Sequence, residues 1–425
     1  MSDLKTLVHS EEISEIETGS RVKDPAETIK SVKPYFERVG IHAMEKVEPR
    51  STYDLPIFRV NPKSHNFKCH REILESRFMT RGLPSRRAYG KGWSVNQSKA
   101  SGIMEMVERF SAQRFSHSTT IKTKDLKAAE DVVPTGSLKF PSSVPPKCVS
   151  CLYRNVYCYS DTSKLDEWVR GYSLVNEKIV LVPAATVFYP YACGGKSFMF
   201  NDTGGLASGN TFGEAVLSGV AEVIERDALY HAYNLGLLPE MQLVASDDGC
   251  RTEIREYFER MVPEEKVLSF SIKNPSLDLG VTTVSSFVLE RDFKRFFIFG
   301  GSGAHLDPQV SMIRALTELI QQKIRKGYLN EIPLSSYLEF DVEKQVSARN
   351  IGSLPGYSSK KIREEVDRYV ALLGREGLDI IVVDLTHPKL SIPVVRVIVP
   401  GLVSYGSPFN ISVLSRIREK FGSKN

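Results

Sequence analysis

The chain has 425 residues, 41% of them hydrophobic, and its 56 Lys and Arg against 51 Asp and Glu leave a formal net charge of +5. That is enough apolar material for one large domain with additions or for two or three ordinary domains, and acidic and basic residues alternate rather than forming blocks, which argues against a nucleic-acid surface. No apolar run approaches the ~20 residues of a membrane span, and the charged stretch Met1–Glu12 is unlike a signal peptide, so a cytoplasmic protein with no membrane role is expected.

Residues 1–20 are polar and read as a flexible terminus. Asp24-Pro25-Ala26-Glu27 then combines an N-cap acid, a proline in the first turn and a Glu three residues after the cap, which predicts a helix running through Ile29, Val32, Phe36 and Val39 to Gly40. Leu55 to Val60 reads as a strand, so residues 21–85 form an α/β lead-in. Three long helices are expected next, each introduced by a turn or glycine-rich stretch: Asn96 to Phe115 after Gly90-Lys91-Gly92, Thr211 to Tyr233 after Thr203–Asn210, and Pro308 to Tyr328 after Phe299–Gly303. Strands are expected at Ile179–Val187, Thr282–Leu289 and Arg295–Phe299. A last helix, Ser359–Leu373, leads to strands at Asp379–Asp384 and Pro393–Val399. The alternation is irregular, which favours an α+β fold with mixed or antiparallel sheets over a doubly wound parallel one.

The six cysteines, Cys69, Cys148, Cys151, Cys158, Cys193 and Cys250, are too sparse for a disulfide framework. Cys148-x-x-Cys151 has metal-ligand spacing, and a zinc or iron–sulfur site would need Cys158 with Cys69 or His70 to complete it, but a second standard pair is missing, so free thiols in a loop after Pro145-Pro146 are the better reading.

The first long helix carries Glu105 and Glu108, three apart and flanked by Ile103, Met104, Met106, Val107 and Phe110. The second repeats the pattern with Glu222 and Glu225 after the apolar run Ala215–Ala221. Partly buried carboxylates stay ionised only beside positive charge. Arg109 and Arg226 offer simple ion pairing within each helix; the alternative is that four carboxylates from two helices face one another and hold a hard divalent cation such as magnesium against a polyphosphate. Gly209-Asn210-Thr211 opens a helix N-terminus that suits phosphate, although Thr211-x-x-Glu214 also has capping-box spacing. Neither a Walker loop nor a dinucleotide-binding fingerprint is present. On the third helix Arg314, Glu318, Gln321 and Arg325 form one polar stripe, readable as a solvated face, and His305 before its Asp307 cap is either a base or a turn residue.

Taken in order, Gly90-Lys91-Gly92, Ser101-x-x-x-Glu105-x-x-Glu108-Arg109, Gly209-Asn210-Thr211-x-x-Glu214-Ala215, Glu222-x-x-Glu225-Arg226-Asp227-Ala228, Gly303–Pro308, Arg314-Ala315-x-x-Glu318-x-x-Gln321 and the closing Ile392–Gly401 resemble the motifs of YcaO proteins. The resemblance spans roughly Arg86 to Leu402 and implies a YcaO-type α+β fold whose sheets are packed by long helices, with residues 86–402 as an ATP-binding catalytic domain and 403–425 as a tail. It implies ATP- and Mg2+-dependent modification of a peptide backbone amide, with Glu105, Glu108, Glu222 and Glu225 on magnesium, Lys91 and Asn210 on phosphate, and Ser101, Arg226, Glu318 and Gln321 lining the nucleotide pocket. The tail lacks the Pro-x-Pro-x-Pro element frequent in azoline-forming members, and the Arg21–Thr28 helix and Leu55–Arg59 strand are similar to the archaeal thioamide-forming branch. The implied partners are a peptide or protein substrate, a TfuA-like sulfur-delivery protein and a second copy of the chain in a homodimer.

Overall fold

The computed structural model describes residues 14–16, 19–47, 55–62, 87–115, 118–127, 130–138, 156–157, 165–189, 191–193, 196–198, 203–234, 242–245, 249–259, 265–272, 279–291, 295–325, 330–333 and 349–403. Five helices organise them: α1 (Pro25–Val32), α2 (Val95–Ser111), α3 (Phe212–Asn234), α4 (Pro308–Ile324) and α5 (Ile362–Arg375). Among the described residues none is long and apolar enough to cross a membrane.

Two six-stranded sheets carry most of the β-structure. The first runs in the order Leu206–Ser208, Val394–Ile398, Ile381–Asp384, Glu167–Ser173, Ile121–Lys122, with Lys178–Pro183 paired to the remaining edge of Glu167–Ser173. The second runs Asn330–Pro333, Arg295–His305, Thr282–Arg291, Glu265–Ile272, Gln242–Ala245, Arg349–Asn350. A three-stranded antiparallel sheet (Ile41–Val47, Ile57–Pro62, Ala88–Gly90) covers α2. The longest ladder sets Thr282 opposite His305 and Arg291 opposite Phe296, an antiparallel hairpin, and among the described residues parallel pairing is confined to short bridges. The fold is α+β with mixed and antiparallel sheets, as the irregular alternation predicts.

Helix α3 contacts the first sheet at Val394–Ile398, the second at Arg295–His305, and α5. Enclosed on these sides, it is apolar nearly all round, with Ala215, Val216, Val220, Ala221, Val223 and Ile224 all buried, as a helix between layers must be. Its polar side chains Glu214, Ser218, Glu222, Glu225 and Arg226 gather at one cavity.

Several boundaries differ from the sequence expectation, each for a local reason. The helix from Asp24 begins as predicted, its carboxylate accepting the Ala26 and Glu27 amides at 2.7 and 3.0 Å. It breaks into a 3-10 turn over Lys33–Tyr35 because Pro34 has no N–H to continue the ladder. The strand expected through Val187 stops at Pro183 and turns into the short helix Ala184–Val187. The glycine-rich stretch Phe299–Gly303 is not a turn. Arg295–His305 is one continuous strand, and a Cβ on Gly301 would lie 2.2 Å from the Leu319 amide and 2.3 Å from the Ala315 carbonyl. Glycine there lets α4 lie directly on the sheet. The cysteines proposed as metal ligands, and the Pro-rich stretch before them, lie outside the described residues.

Candidate active site

Helices α2, α3 and α4, the strand Leu206–Ser208 and the segment from Arg21 to Thr28 enclose a cavity of about 280 Å³. Eight of the ten candidate residues line it: Lys91, Ser101, Glu108, Asn210, Glu222, Glu225, Arg226 and Glu318. Close packing sets the rim. A Cβ on Gly90 would meet the Ser98 carbonyl at 1.7 Å, so only glycine lets the strand Ala88–Gly90 touch α2 and deliver Lys91 to the opening. Lys91 does not swing freely there: its Nζ is 2.9 Å from Glu318 Oε2, and its amide donates to Ser101 Oγ at 3.4 Å. Burial works to raise the Glu318 pKa, but Lys91 and Arg226 hold it below the ordinary carboxylate range.

Glu108 is the opposite case. Its Oε1 accepts from both the amide and the hydroxyl of Ser208 at 2.9 Å. Burial, with Glu105 and Glu222 nearby, nevertheless pushes it up to about 8. Glu222 pairs with Arg226 at 3.3 Å along α3, and buried Glu225 accepts the Ser302 hydroxyl at 2.7 Å.

Glu105 and Gln321 are not among the lining residues. Glu105 accepts the Tyr89 amide at 3.0 Å and pairs with Arg109, while Gln321 donates to the Tyr89 carbonyl. Both grip the strand that presents Lys91. Among the described residues no three His, Cys, Asp or Glu side chains sit close enough to form a ready-made metal cage. The donor set still fits magnesium, which takes oxygen ligands, keeps several of its waters and needs only one or two carboxylates beside a polyphosphate. A carboxyl driven to bind a proton by burial and neighbouring carboxylates is one that a cation would restore to its charged form.

A family model described as YcaO cyclodehydratase, ATP- and Mg2+-binding, matches residues 89–403. The chain belongs to the YcaO family. ATP and Mg2+ are thus the ligands against which this YcaO site is read. An uncharacterized protein of Methanothermobacter thermautotrophicus is 29% identical over 402 residues, covering 89% of this chain and 94% of its own. A Rhizobium leguminosarum bv. trifolii protein encoded in the tfuA 3' region is 23% identical, covering 90% and 88%. Among solved structures, a heterocyclase in complex with substrate and cofactor has a TM-score of 0.69 at 20% identity, and the chain spans 58% of its length. YcaO from Methanopyrus kandleri bound with AMPPCP and Mg2+ has a TM-score of 0.66 at 22% identity, covering 98% of this chain and 99% of that one. At these identities the two structures establish the shared fold.

This YcaO cavity also contains cations to which the sequence assigned no role in the site. Arg21 and Lys23, from the strand Gly19–Arg21 and the turn after it, line the cavity with Arg314 of α4. Arg21 donates to Ser218 Oγ at 3.3 Å, and the Val22 amide donates to Glu214, which fastens the segment to α3. Arg314 donates to the Ala304 carbonyl at 3.1 Å; burial and the Arg21 charge bring its pKa down to about 10, so it remains a cation at neutral pH. The polar stripe of α4 is therefore an inward face: Arg314 and Glu318 meet the cavity, Gln321 holds Tyr89, and Arg325 lies over the Tyr89 ring at 4.5 Å. Glu214 reaches past Thr211 to the Asn210 amide at 2.7 Å and the Asn210 side chain at 3.0 Å, and Thr28 donates to Asn210 Oδ1 at 2.9 Å. His305 is buried, its Nδ1 accepts the Asp307 amide at 3.0 Å, and burial with Arg314, Arg21 and Arg251 keeps it neutral. It shapes the turn into α4. The cue to Arg21 lay in its position three residues before a cleanly capped helix, but its destination is set by tertiary contacts.

Proposed function

We propose that this YcaO protein thioamidates a peptide or protein backbone at the expense of ATP. The supporting observation is the distribution of charge: Glu108, Glu222 and Glu225 on one part of the cavity wall, with Lys91, Arg226, Arg21, Lys23 and Arg314 around the rest. Such a surface suits a polyphosphate bound together with a divalent cation, and phosphoryl transfer depends mainly on positioning and charge stabilisation. The carboxylates would hold Mg2+, which supplies neutralisation of phosphate charge. Lys91 and Asn210 would position phosphate, with Ser101, Arg226 and Glu318 against the rest of the nucleotide; Glu105 and Gln321 would act through the Tyr89 strand.

In the reaction, sulfide adds to the amide carbon, the resulting oxyanion takes the terminal phosphoryl group of ATP, and phosphate departs with the original oxygen. The products are a thioamide, ADP and inorganic phosphate, and no redox partner is needed. The thioamide reading over ring formation rests on the Rhizobium relative's location beside tfuA and on the N-terminal likeness to the thioamide-forming branch. A TfuA-like protein would deliver the sulfur, and the working unit would be a homodimer.

The test is incubation of the protein with ATP, Mg2+, radiolabelled sulfide and a glycine-containing peptide library, followed by mass spectrometry. Sulfur incorporation with replacement of one oxygen supports thioamidation. Loss of one water without sulfur uptake would assign the azoline-forming reaction instead, and ATP binding with neither product would make the protein an accessory factor.

A further inference from the structure

The strand Glu167–Ser173 is paired along one edge with Lys178–Pro183. Its other edge is shared. Ile121 and Lys122 pair with Trp168 and Glu167 at one end, and Val382 and Ile381 pair with Tyr172 and Ser173 at the other. Between the two ladders Val169 to Gly171 have no strand partner on that edge among the described residues. The neighbouring strand turns away: the Asp384 carboxylate accepts the Thr386 amide at 2.8 Å, and the Leu385 amide donates to Val394. Because the Leu174 amide donates to the Ile380 carbonyl on this side, the two-residue alternation aims the N–H and C=O of Arg170 into the gap.

A cavity of about 500 Å³ fills this breach. Val169 and Arg170, adjacent on a strand and so facing opposite sides of the sheet, both line it; the opening therefore passes through the sheet. Phe115, Phe188 and Leu385 give it an apolar wall, and Ile179, 44% exposed, stands at the mouth. Ser111 also lines it, is 3% exposed, and its hydroxyl has no hydrogen-bond partner among the described residues. A helical serine normally bonds back to its own helix, and a buried hydroxyl left idle is unfavourable.

We propose that the breach receives an extended peptide segment. It adds as a short strand beside Arg170, sets one apolar side chain against Phe115 and Phe188, and satisfies the Ser111 hydroxyl. An unpaired strand edge next to a side-chain pocket is the combination used in β-strand addition, and the rim charges are already engaged, Arg170 with Glu130 at 3.4 Å and Asp384 with the Thr386 amide, which suits a neutral peptide backbone better than an ion. Ser111 follows Glu108 by one turn of α2, ~5 Å along the helix. A segment held here thus brings positions a few residues away, at ~3.3 Å each, to the nucleotide cavity. The inference rests on the peptide-modifying reading and adds a preference: an apolar side chain near the modified amide.

The test is a methyl NMR titration of the isoleucine-labelled full chain with acetyl-Gly-Gly-Phe-Gly-Gly-amide and with its Asp counterpart, beside a thermal-shift measurement with Mg2+ and ATP. The Ile179 methyl should move with the Phe peptide and bind the Asp peptide at least about tenfold more weakly. Ser111→Ala should weaken Phe-peptide binding about fivefold. Arg170→Pro, which removes the gap-facing donor together with the guanidinium, should weaken it further than Arg170→Gln, which removes the charge alone, while circular dichroism stays unchanged. A stationary Ile179 methyl, equal affinity for the two peptides, or unaltered binding by both Ser111→Ala and Arg170→Pro overturns the site. A thermal shift with Mg2+ and ATP alongside a silent Ile179 discards the breach alone, whereas no nucleotide response in the unaltered protein discards the proposed function.

Discussion

Replacing Glu108 by Gln should stabilise the metal-free protein while removing its response to magnesium and nucleotide. Burial and the neighbouring carboxylates raise the Glu108 pKa from 4.5 to about 8. A carboxyl that binds its proton more tightly when folded makes stability fall as pH rises from the ordinary value of 4.5 towards 8, since the folded state retains a proton that the unfolded state releases. At ~1.4 kcal/mol per pH unit, the penalty at neutral pH reaches ~3 kcal/mol. Water reaches the cavity that Glu108 lines, so we expect about half of that, ~1.5 kcal/mol, to appear as a gain in Glu108→Gln. The glutamine keeps an oxygen for the Ser208 amide and hydroxyl. Urea denaturation in a chelating buffer should show the variant ahead of the unaltered protein near pH 8 and level with it near pH 4; adding Mg2+ with a non-hydrolysable ATP analogue should raise the Tm of the unaltered protein only. The reasoning fails if the variant is less stable at every pH, or if it keeps the magnesium-dependent nucleotide response.

Lys91→Gln leaves half-buried Glu318 without its 2.9 Å partner and should weaken nucleotide binding by ~2 kcal/mol, roughly thirtyfold, with calorimetry as the check. Gly301→Ala places a methyl 2.2 Å from the Leu319 amide, so α4 must shift; a loss of ~2–3 kcal/mol in chemical denaturation is expected, and an unchanged midpoint would contradict the packing described. Glu167 is buried against Arg114 at 2.8 Å, Lys122 at 2.9 Å and the Tyr191 hydroxyl at 2.8 Å. Burial acts to raise its pKa, but Lys122, Tyr191 and Arg114 bring it below the ordinary 4.5. That stabilisation is present above the ordinary carboxylate range and is lost as pH falls through the depressed value, so Glu167→Gln should cost ~1–3 kcal/mol near neutral pH. The difference should shrink in acid, and a gap of constant size across pH titrations would refute the assignment.

The helices were legible because their signals are local. Asp24, Ser94 and Asp307 cap helices through their own side chains, and the doubled Glu-x-x-Glu pattern survives as three carboxylates at one cavity. What was hidden is what depends on contact between distant segments. A run such as Phe299–Gly303 looks like a turn when its partner is unknown, and becomes a strand once α4 lies against it at backbone distance. Glu105 has the spacing of a cavity ligand, yet the nearby Tyr89 amide and Arg109 draw its carboxylate towards the supporting strand. Gln321 is diverted to the same strand from the opposite side. Arg21 and Lys23 carry no local sign of a site and gain their place through tertiary contacts, Glu214 with the Val22 amide and Ser218 with Arg21.

Those last contacts have a further consequence. The block matched by the family begins at residue 89, yet Arg21, Lys23 and Thr28 help wall the cavity. Part of the cavity wall is thus supplied by a segment before that block, fastened to α3 through a few hydrogen bonds. Substitutions in that segment would change the charge at the cavity while the helices that carry the acidic residues stay untouched, and an expression fragment trimmed to the matched block would present a wider, less basic opening.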